Sequence, residues 1–411
     1  MAARELTRLT VEPGPDGVLA LAAELPMAIN GEGPALAPLP AGPPEYVDRL
    51  LAAVRPDDSS APLEHDDVAV VVATSGSMGE PRGVLLSGSA LIASAKASDT
   101  RLGGPSRWVM ALPAHHVAGL QVLVRAHLSG IPPIPLDSVG GAAHFSAAEF
   151  ANATRAARAI ADSDGAQLRT ALVPTQLARI VELGPGARDA LSAYDSILIG
   201  GAAAAHGLIA RATSLGARIA TTYGMTETAG GCVYDGTPLA GVAARIAGAD
   251  ADGVGRIELS GPTIAHGYRL RPELTEAAFG PNLHRTSDRG KIDKDNRLVV
   301  VGRIDDVVQV GGINVSIAAV EAAVQEHAMV AEAAVVATDH DQWGSKVTAF
   351  VVATDTDSLA GQALIESVIE SVANSLGAES RPREVVVTQS LPTLPTGKID
   401  RAALRTIAAN R

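Results

Sequence analysis

Cysteine is almost absent: Cys232 stands alone in a chain of 411 residues. A lone thiol excludes an internal disulfide framework and predicts a reducing, cytoplasmic setting, with Cys232 a small buried side chain rather than a nucleophile. Aromatic residues are scarce too, at 3% against 47% hydrophobic residues, so the core must be built from Ala, Val, Leu and Ile. No uninterrupted apolar run approaches the length of a membrane span, and the opening MAARELTRLT carries Arg4, Glu5 and Arg8 where a signal peptide would have an apolar core. These absences predict a soluble intracellular protein. Positive charge is in deficit, and the net charge of −12 argues against nonspecific nucleic-acid binding while allowing a local basic site.

What is present alternates. Val/Ile-rich runs and Ala-rich helical stretches follow one another, the rhythm of an α/β protein. A Pro/Gly-rich segment, 31–43, reads as an exposed extended connection, followed by a helix over Glu45–Val54 and a buried strand over Val68–Val72. Further helices are predicted over Gly88–Ser98, Ala118–Leu128 and Ala147–Ala161. Strands are predicted over Arg107–Leu112, Leu168–Val173, Ser196–Ile199 and Arg218–Thr221, suiting a parallel sheet. From Val254 the pattern changes to shorter strands (Gly255–Ser260, Ile264–Tyr268, Arg297–Val301) and glycine turns. Residues 306–411 form a smaller unit with helices over Ala318–His327 and Leu359–Leu376. Its strands are predicted over Ala331–Ala337, Lys346–Ala353 and Glu384–Thr388, and the best single cut falls near Arg303–Asp305.

Six short segments carry polar chemistry. Residues 74–83, TSGSMGEPRG, follow the first buried strand and offer hydroxyls, unobstructed backbone N–H groups and one permanent cation, Arg82. The spacing matches neither a P-loop nor a dinucleotide turn, so by itself the segment suits a phosphate site or a surface turn equally. In TTYGMTET, 221–228, Tyr223 can stack on a base, Gly224 lets a ligand approach, and Thr226 and Glu227 add a hydroxyl and a carboxylate; a polar turn reads as well. LIGGAAA, 198–204, ends a strand in glycines, as expected where a flat ring lies against the backbone. HRTSDRG, 284–290, sets Asp288 in a turn, where it could accept two ribose hydroxyls. GRIDDVVQVGG, 302–312, joins Arg303 to two aspartates and a glycine pair, and LPTLPTGKIDR, 391–401, carries Lys398 in a loop stiffened by proline, where a lysine is usually just solvated.

Taken in order, TSGSMGEPRG, LPAHHVAG, YGMTET, TSDRG, GRIDDVVQVGG and LPTGKIDR resemble the adenylate-forming superfamily of acyl-CoA synthetases, nonribosomal adenylation domains and luciferases. The motifs span residues 74–401. The resemblance implies a large N-terminal domain, 1–303, with parallel-rich sheets flanked by helices and a small β-rich subdomain. A small mobile α+β domain, 304–411, would carry Lys398 and turn on a hinge at Asp305. It implies that Thr74, Ser75, Gly76, Ser77, Gly79 and Arg82 hold the β- and γ-phosphates, with Arg82 where lysine is usual. Gly201, Ala202 and Tyr223 would contact adenine, with Gly224 beside them in the ATP site, Thr226 the α-phosphate, Glu227 a Mg²⁺ ion, and Asp288 and Arg303 the ribose. Lys398 would serve adenylation, and Gly311 and Gly312 would face coenzyme A.

The acid is read from 112–130, the family's acyl-pocket entrance. His116 matches the residue beside the substrate carboxylate, and His115 lies behind it. Gln121 and Arg125 are four apart and share a helix face. An arginine pointing into the pocket would suit a second carboxylate; an exposed arginine reads equally well. LVPTQLARI, 172–180, which contains Thr175, is similar to the segment in o-succinylbenzoate–CoA ligases of menaquinone biosynthesis, and the shortness of the chain resembles the compact forms of that enzyme. The expected reaction is therefore AMP-forming ligation of o-succinylbenzoate to coenzyme A. The expected partners are ATP, Mg²⁺, coenzyme A and a small carboxylic acid, with no nucleic acid and no membrane insertion; a homo-oligomer stays open. The alternatives are an acyl-CoA synthetase or stand-alone adenylation enzyme for another acid, and a non-catalytic nucleotide-binding homologue.

Overall fold

The strand Val68–Thr74 does not pass directly into a helix: it turns back and pairs antiparallel with Arg82–Ser87, bringing Thr74 opposite Arg82. The second strand is not expected from the sequence, and it moves Arg82 from a loop to the start of a paired strand. The computed structural model describes residues 4–74, 81–140, 145–304, 306–310, 312–340, 343–354, 361–394 and 399–411. Ser75, Gly76, Ser77, Gly79, Asp305, Gly311 and Lys398 lie outside the described residues.

The chain is an α/β protein whose described strands form four sheets. In the first, Leu6–Val11, Ala35–Pro40 and Val68–Thr74 run parallel, and Arg82–Ser87 and Gly267–Tyr268 complete the sheet antiparallel. The segment expected to be an exposed connection is thus a buried strand over Ala35–Pro40. Its prolines explain both the misreading and the pairing. Pro38 and Pro40 have no N–H to donate, and the ladder towards Val68–Thr74 shrinks to Leu36↔Val70, whereas the Leu6–Val11 side pairs along its whole length.

The second sheet runs parallel through Ile134–Pro135, Ser106–Met110, Gln167–Leu172, Ser196–Ile199 and Ile219–Met225, then turns antiparallel at Gly230–Tyr234 and Thr237–Pro238. Helices Pro15–Asn30, Gly88–Leu102, Val117–Ser129 and Ala147–Asp164 contribute to the core with these sheets. Its bulk comes from Val, Leu, Ala and Ile around the few large rings Trp108, Phe150 and Tyr194. Tyr194 shares a 2.7 Å hydroxyl contact with Thr154, so even the buried polar group is satisfied. Such parallel sheets place ligands beyond the carboxyl ends of their strands.

A third, antiparallel sheet contains Ala243–Ala247, Gly255–Ser260, Phe279–Gly280 and Leu283–Ile292, with Leu298–Arg303 paired to the last. The fourth belongs to the C-terminal residues: Ile313–Ser316, Val307–Val310, Gly344–Ala353 and Val330–His340, with Glu384–Val387 parallel to Gly344–Ala353. Helices Ile317–Gln325 and Gly361–Leu376 close a separate core over it around Val320, Val335, Val351 and Val368. Among the described residues, no helix is long and apolar enough to cross a membrane.

Candidate active site

The strand Ile219–Met225 runs directly into a one-turn 3-10 helix, Thr226–Thr228, and two polar clusters gather along it, one at Tyr223 and one at Glu227. Nearer the strand, the Tyr223 hydroxyl donates to Asp288 Oδ2 at 2.7 Å. Asp288 stands opposite Arg303 in the ladder between Leu283–Ile292 and Leu298–Arg303, with a nitrogen of Arg303 3.8 Å from Asp288 Oδ1. Burial, followed by the negative charge of Asp288, raises the Tyr223 phenol far above its ordinary range, so it remains a neutral donor. Strand register joins Asp288 to Arg303, and a hydrogen bond between sheets adds Tyr223, so three residues from separate motifs meet.

Four residues on, Glu227 Oε1 accepts from the Tyr268 hydroxyl at 2.8 Å, and the Glu227 carbonyl accepts from the Ala265 N–H at 2.9 Å. The Arg82 guanidinium carbon lies 5.3 Å from the Tyr268 ring centroid. Arg82 is half-buried in this cluster rather than extended into solvent. Tyr268 was not singled out from the sequence. A tyrosine in AHGYRL has no motif spacing of its own, and only the antiparallel addition of Gly267–Tyr268 to Arg82–Ser87 brings it here.

Gly224 is explained by its neighbours. A Cβ there would overlap the carbonyl oxygen of Gly230 across the hairpin, so the need for glycine comes from strand packing, whatever a ligand adds. Gly201 has a left-handed φ of 81° just past the strand Ser196–Ile199, and it and Ala202 are exposed. Thr226 is half-buried beside Glu227, and Thr74 Oγ1 donates to the Arg82 carbonyl at 3.3 Å.

The segment after Ser106–Met110 brings His115 and His116 together, with ring centroids 4.2 Å apart. His116 occupies the N-cap position of Val117–Ser129 and is half-buried. His115 is buried, and desolvation lowers its pKa to about 4, so it is neutral at pH 7. Gln121 is fully buried; its Nε2 donates to the Leu91 carbonyl at 3.3 Å, and its Cγ packs against the Gly230 backbone. Thr175 is in the first turn of Pro174–Val181, half-buried. Its neighbour Gln176, also missed in the sequence, accepts from the Val173 N–H at 3.1 Å and donates to the Ala111 carbonyl at 2.9 Å. It thereby ties together the segments that follow two adjacent strands. A glutamine at the third helical position after proline was the available signal.

Arg125 departs from the expected placement. It is buried, 4% exposed, with its guanidinium carbon 5.0 Å from the ring centroid of Trp108, itself in the middle of Ser106–Met110. It shares this interior with Asp99 and Arg169. Burial raises the Asp99 carboxyl, while Arg125 and Arg169 pull it the other way. Arg169 in turn donates to the Gly104 carbonyl at 2.6 Å and to Ser106 Oγ at 3.1 Å, at the amino end of the strand. Arg125 is therefore a core cation stacked on Trp108 rather than a pocket arginine or an exposed one. Gln121 and Arg125 do share a helix face, but Gly119–Ala126 is buried on all sides, so helical spacing alone could not show what the face meets.

Among the described residues, no three His, Cys, Asp or Glu side chains gather as a metal cage. Glu227 alone suits a hard cation held mainly by phosphate oxygens and water, as Mg²⁺ commonly is. Cys232 is fully buried, and desolvation pushes its thiol up to about 12, which makes it inert.

The model of the AMP-binding enzyme family matches residues 35–269, and that of the AMP-binding enzyme C-terminal domain matches 319–398. A probable 2-succinylbenzoate–CoA ligase of Mycobacterium tuberculosis is 37% identical over 382 residues, covering 92% of this chain and 93% of the relative. Among solved structures, ATP-bound MatB from Rhodopseudomonas palustris superposes with a TM-score of 0.80 at 22% identity, over 99% of this chain and 89% of that one. The o-succinylbenzoate CoA synthetase of Bacillus subtilis, in complex with its acyl-adenylate intermediate, gives 0.72 at 22% identity over 98% and 89%. At such identities the structural matches speak for the fold, while the family models and the mycobacterial relative speak for descent: the chain belongs to the AMP-binding enzyme family.

Proposed function

We propose that this protein activates o-succinylbenzoate with ATP, forming an acyl adenylate and pyrophosphate, and then transfers the acyl group to coenzyme A with release of AMP. The observation that carries the nucleotide half is the placing of two unlike poles on one segment. Tyr223, Asp288 and Arg303 suit a nucleoside, and Glu227 with Arg82, four residues further along, suits its phosphates. The choice of acid is supported by the relative that is 37% identical along nearly the whole chain.

A carboxylate is a poor electrophile, and attack of its oxygen on the α-phosphorus, with pyrophosphate leaving, makes the carbonyl open to a thiol. In this reading Asp288 accepts the ribose hydroxyls, Gly201, Ala202, Tyr223 and Gly224 line the adenine, and Thr226 meets the α-phosphate. Arg82, with Thr74, Ser75, Gly76, Ser77 and Gly79, holds the departing phosphates, arginine giving a fixed bidentate fork in place of a lysine point charge. Mg²⁺ bound at Glu227 would offset charge on the phosphate oxygens. His116 holds the substrate carboxylate, with Gln121 and Thr175 at the acyl pocket. Lys398 stabilises charge as the displacement proceeds. Residues 304–411 then turn about Asp305, withdrawing Lys398 and presenting Gly311 and Gly312 to the pantetheine thiol.

Pyrophosphate release measured with o-succinylbenzoate, benzoate and octanoate, with and without coenzyme A, tests the reading. Turnover of octanoate but not of o-succinylbenzoate would move the enzyme to another acid; the absence of release with all three acids would favour a nucleotide-binding protein without catalysis.

A further inference from the structure

We propose that Tyr268 is a positioning residue for the phosphate pole, seating Arg82 on its ring face and fixing the Glu227 carboxylate through its hydroxyl. The role rests on the nucleotide reading given above and adds to it a residue outside the motifs from which that reading was built.

Tyr268 stands opposite Val84 in the antiparallel pair with Arg82–Ser87. Arg82 is two residues from Val84 and so projects from the same face of the strand, as a diagonal neighbour of Tyr268. That register accounts for the 5.3 Å separation of the guanidinium carbon from the ring centroid. A cation so placed is attracted by the ring quadrupole. The same phenol reaches a second element, the turn Thr226–Thr228, by donating to Glu227 Oε1 at 2.8 Å. One ring thus holds a cation by its face and an anion by its edge substituent.

The ring is itself held firmly. Its backbone N–H donates to Thr275 Oγ1 at 2.9 Å, and its side chain meets Phe279 edge-on, with centroids 5.3 Å apart and planes at 75°. Phe279 is backed by His284 at 4.7 Å. Gly267 beside it has φ 148°, and a Cβ there would meet the Thr275 side chain, so the backbone has little latitude. The Ala265 N–H bond to the Glu227 carbonyl, 2.9 Å, adds a second tie between the same two segments. A hydrogen bond to one oxygen of a carboxylate fixes the direction of the other, which is how outer partners tune metal-binding carboxylates.

The test compares wild type with Tyr268→Phe, which retains the ring and deletes only the hydroxyl, by Mn²⁺ electron paramagnetic resonance in the presence of ATP and by Mg²⁺ titration of pyrophosphate release. The half-saturating metal concentration should rise about 10-fold in both measurements, with the melting temperature kept within a few degrees. In a Glu227→Gln background the same substitution should add nothing, because the bond it breaks serves that carboxylate. Tyr268→Leu should in addition weaken metal-free ATP binding, through the loss of the face under Arg82. Wild-type metal affinity in Tyr268→Phe, or an equal loss in the Glu227→Gln background, would overturn the positioning role while leaving the ligase reading intact. A wild-type protein that neither retains Mn²⁺ with ATP nor releases pyrophosphate would overturn the nucleotide reading itself, and this role with it.

Discussion

The hydroxyl of Tyr223 lies 2.7 Å from Asp288 Oδ2, although the two residues are 65 positions apart in the chain. Tyr223 comes from the parallel sheet and Asp288 from the antiparallel one, so the bond joins two sheets at the place proposed for the nucleoside. Asp288 is only 14% exposed, and its partner across the ladder, Arg303, is 40% exposed. The pair is a carboxylate aimed by a neutral donor on one side and a cation on the other.

Removing the donor while keeping the ring should loosen that aim. Tyr223→Phe is expected to cost about 1.5 kcal/mol of ATP binding, roughly tenfold in KM for ATP, because the bond goes to a charged acceptor. The value of kcat should stay within twofold. Steady-state kinetics with ATP varied checks this, and a fall in kcat at unchanged KM would place Tyr223 in the chemical step instead.

His115 sets an acid limit on stability. Its folded pKa of about 4 lies below the ordinary imidazole value of 6.5, so between those values the unfolded chain binds the proton and the folded one does not. The stability is fully present above about pH 6.5 and is lost as pH falls towards about 4, by roughly 3 kcal/mol in all. Urea unfolding at pH 7.5, 6, 5 and 4.5 measures it. His115→Gln should flatten this part of the profile whatever its cost at pH 7.5; an unchanged acid slope would show that other groups govern it.

Much of the candidate site was legible in the sequence because its pieces are local. A strand that runs out into glycines or hydroxyls can be recognised without knowing its partner, and Tyr223 and Glu227 stand out in that way; Asp288, expected in a turn, instead lies within the strand Leu283–Ile292, whose pairing with Leu298–Arg303 is long-range. What could not be read depends on the pairing of distant segments. Tyr268 acquires its neighbours from a two-residue strand added antiparallel to Arg82–Ser87, and nothing in AHGYRL announces that register. Ala35–Pro40 is buried along its whole length, so it has no polar alternation to betray a strand, and its prolines imitate a linker. Arg125 misleads for the opposite reason: an arginine is expected in water or at a site, and this one stacks on Trp108 inside the core.

Lys398 gives the sharpest test of the proposed two-step cycle. If it serves only adenylation, Lys398→Ala should reduce pyrophosphate release from ATP and acid by 100-fold or more, roughly the 3 kcal/mol typical of a preorganised electrostatic contact. Thioester formation from supplied acyl adenylate and coenzyme A should stay within a few-fold of wild type. Separate assays of the two half-reactions decide it, and equal loss in both would contradict a turning C-terminal domain.

Arg125 should behave as a structural cation. Truncation to alanine removes its stacking on Trp108 and takes one of two positive charges away from the half-buried Asp99 carboxyl, whose partial burial already raises its pKa. A loss of roughly 2 kcal/mol is expected, chiefly from the buried cation–π contact, since Asp99 keeps Arg169 as its ion-pair partner at 3.8 Å. Because neither effect touches the acid, KM for o-succinylbenzoate and for a monocarboxylate analogue should change by the same factor. Chemical denaturation measures the first effect and paired kinetics the second. A selective rise in KM for the dicarboxylate, with stability unchanged, would return Arg125 to the acyl pocket and require the Val117–Ser129 helix to rearrange when the acid binds.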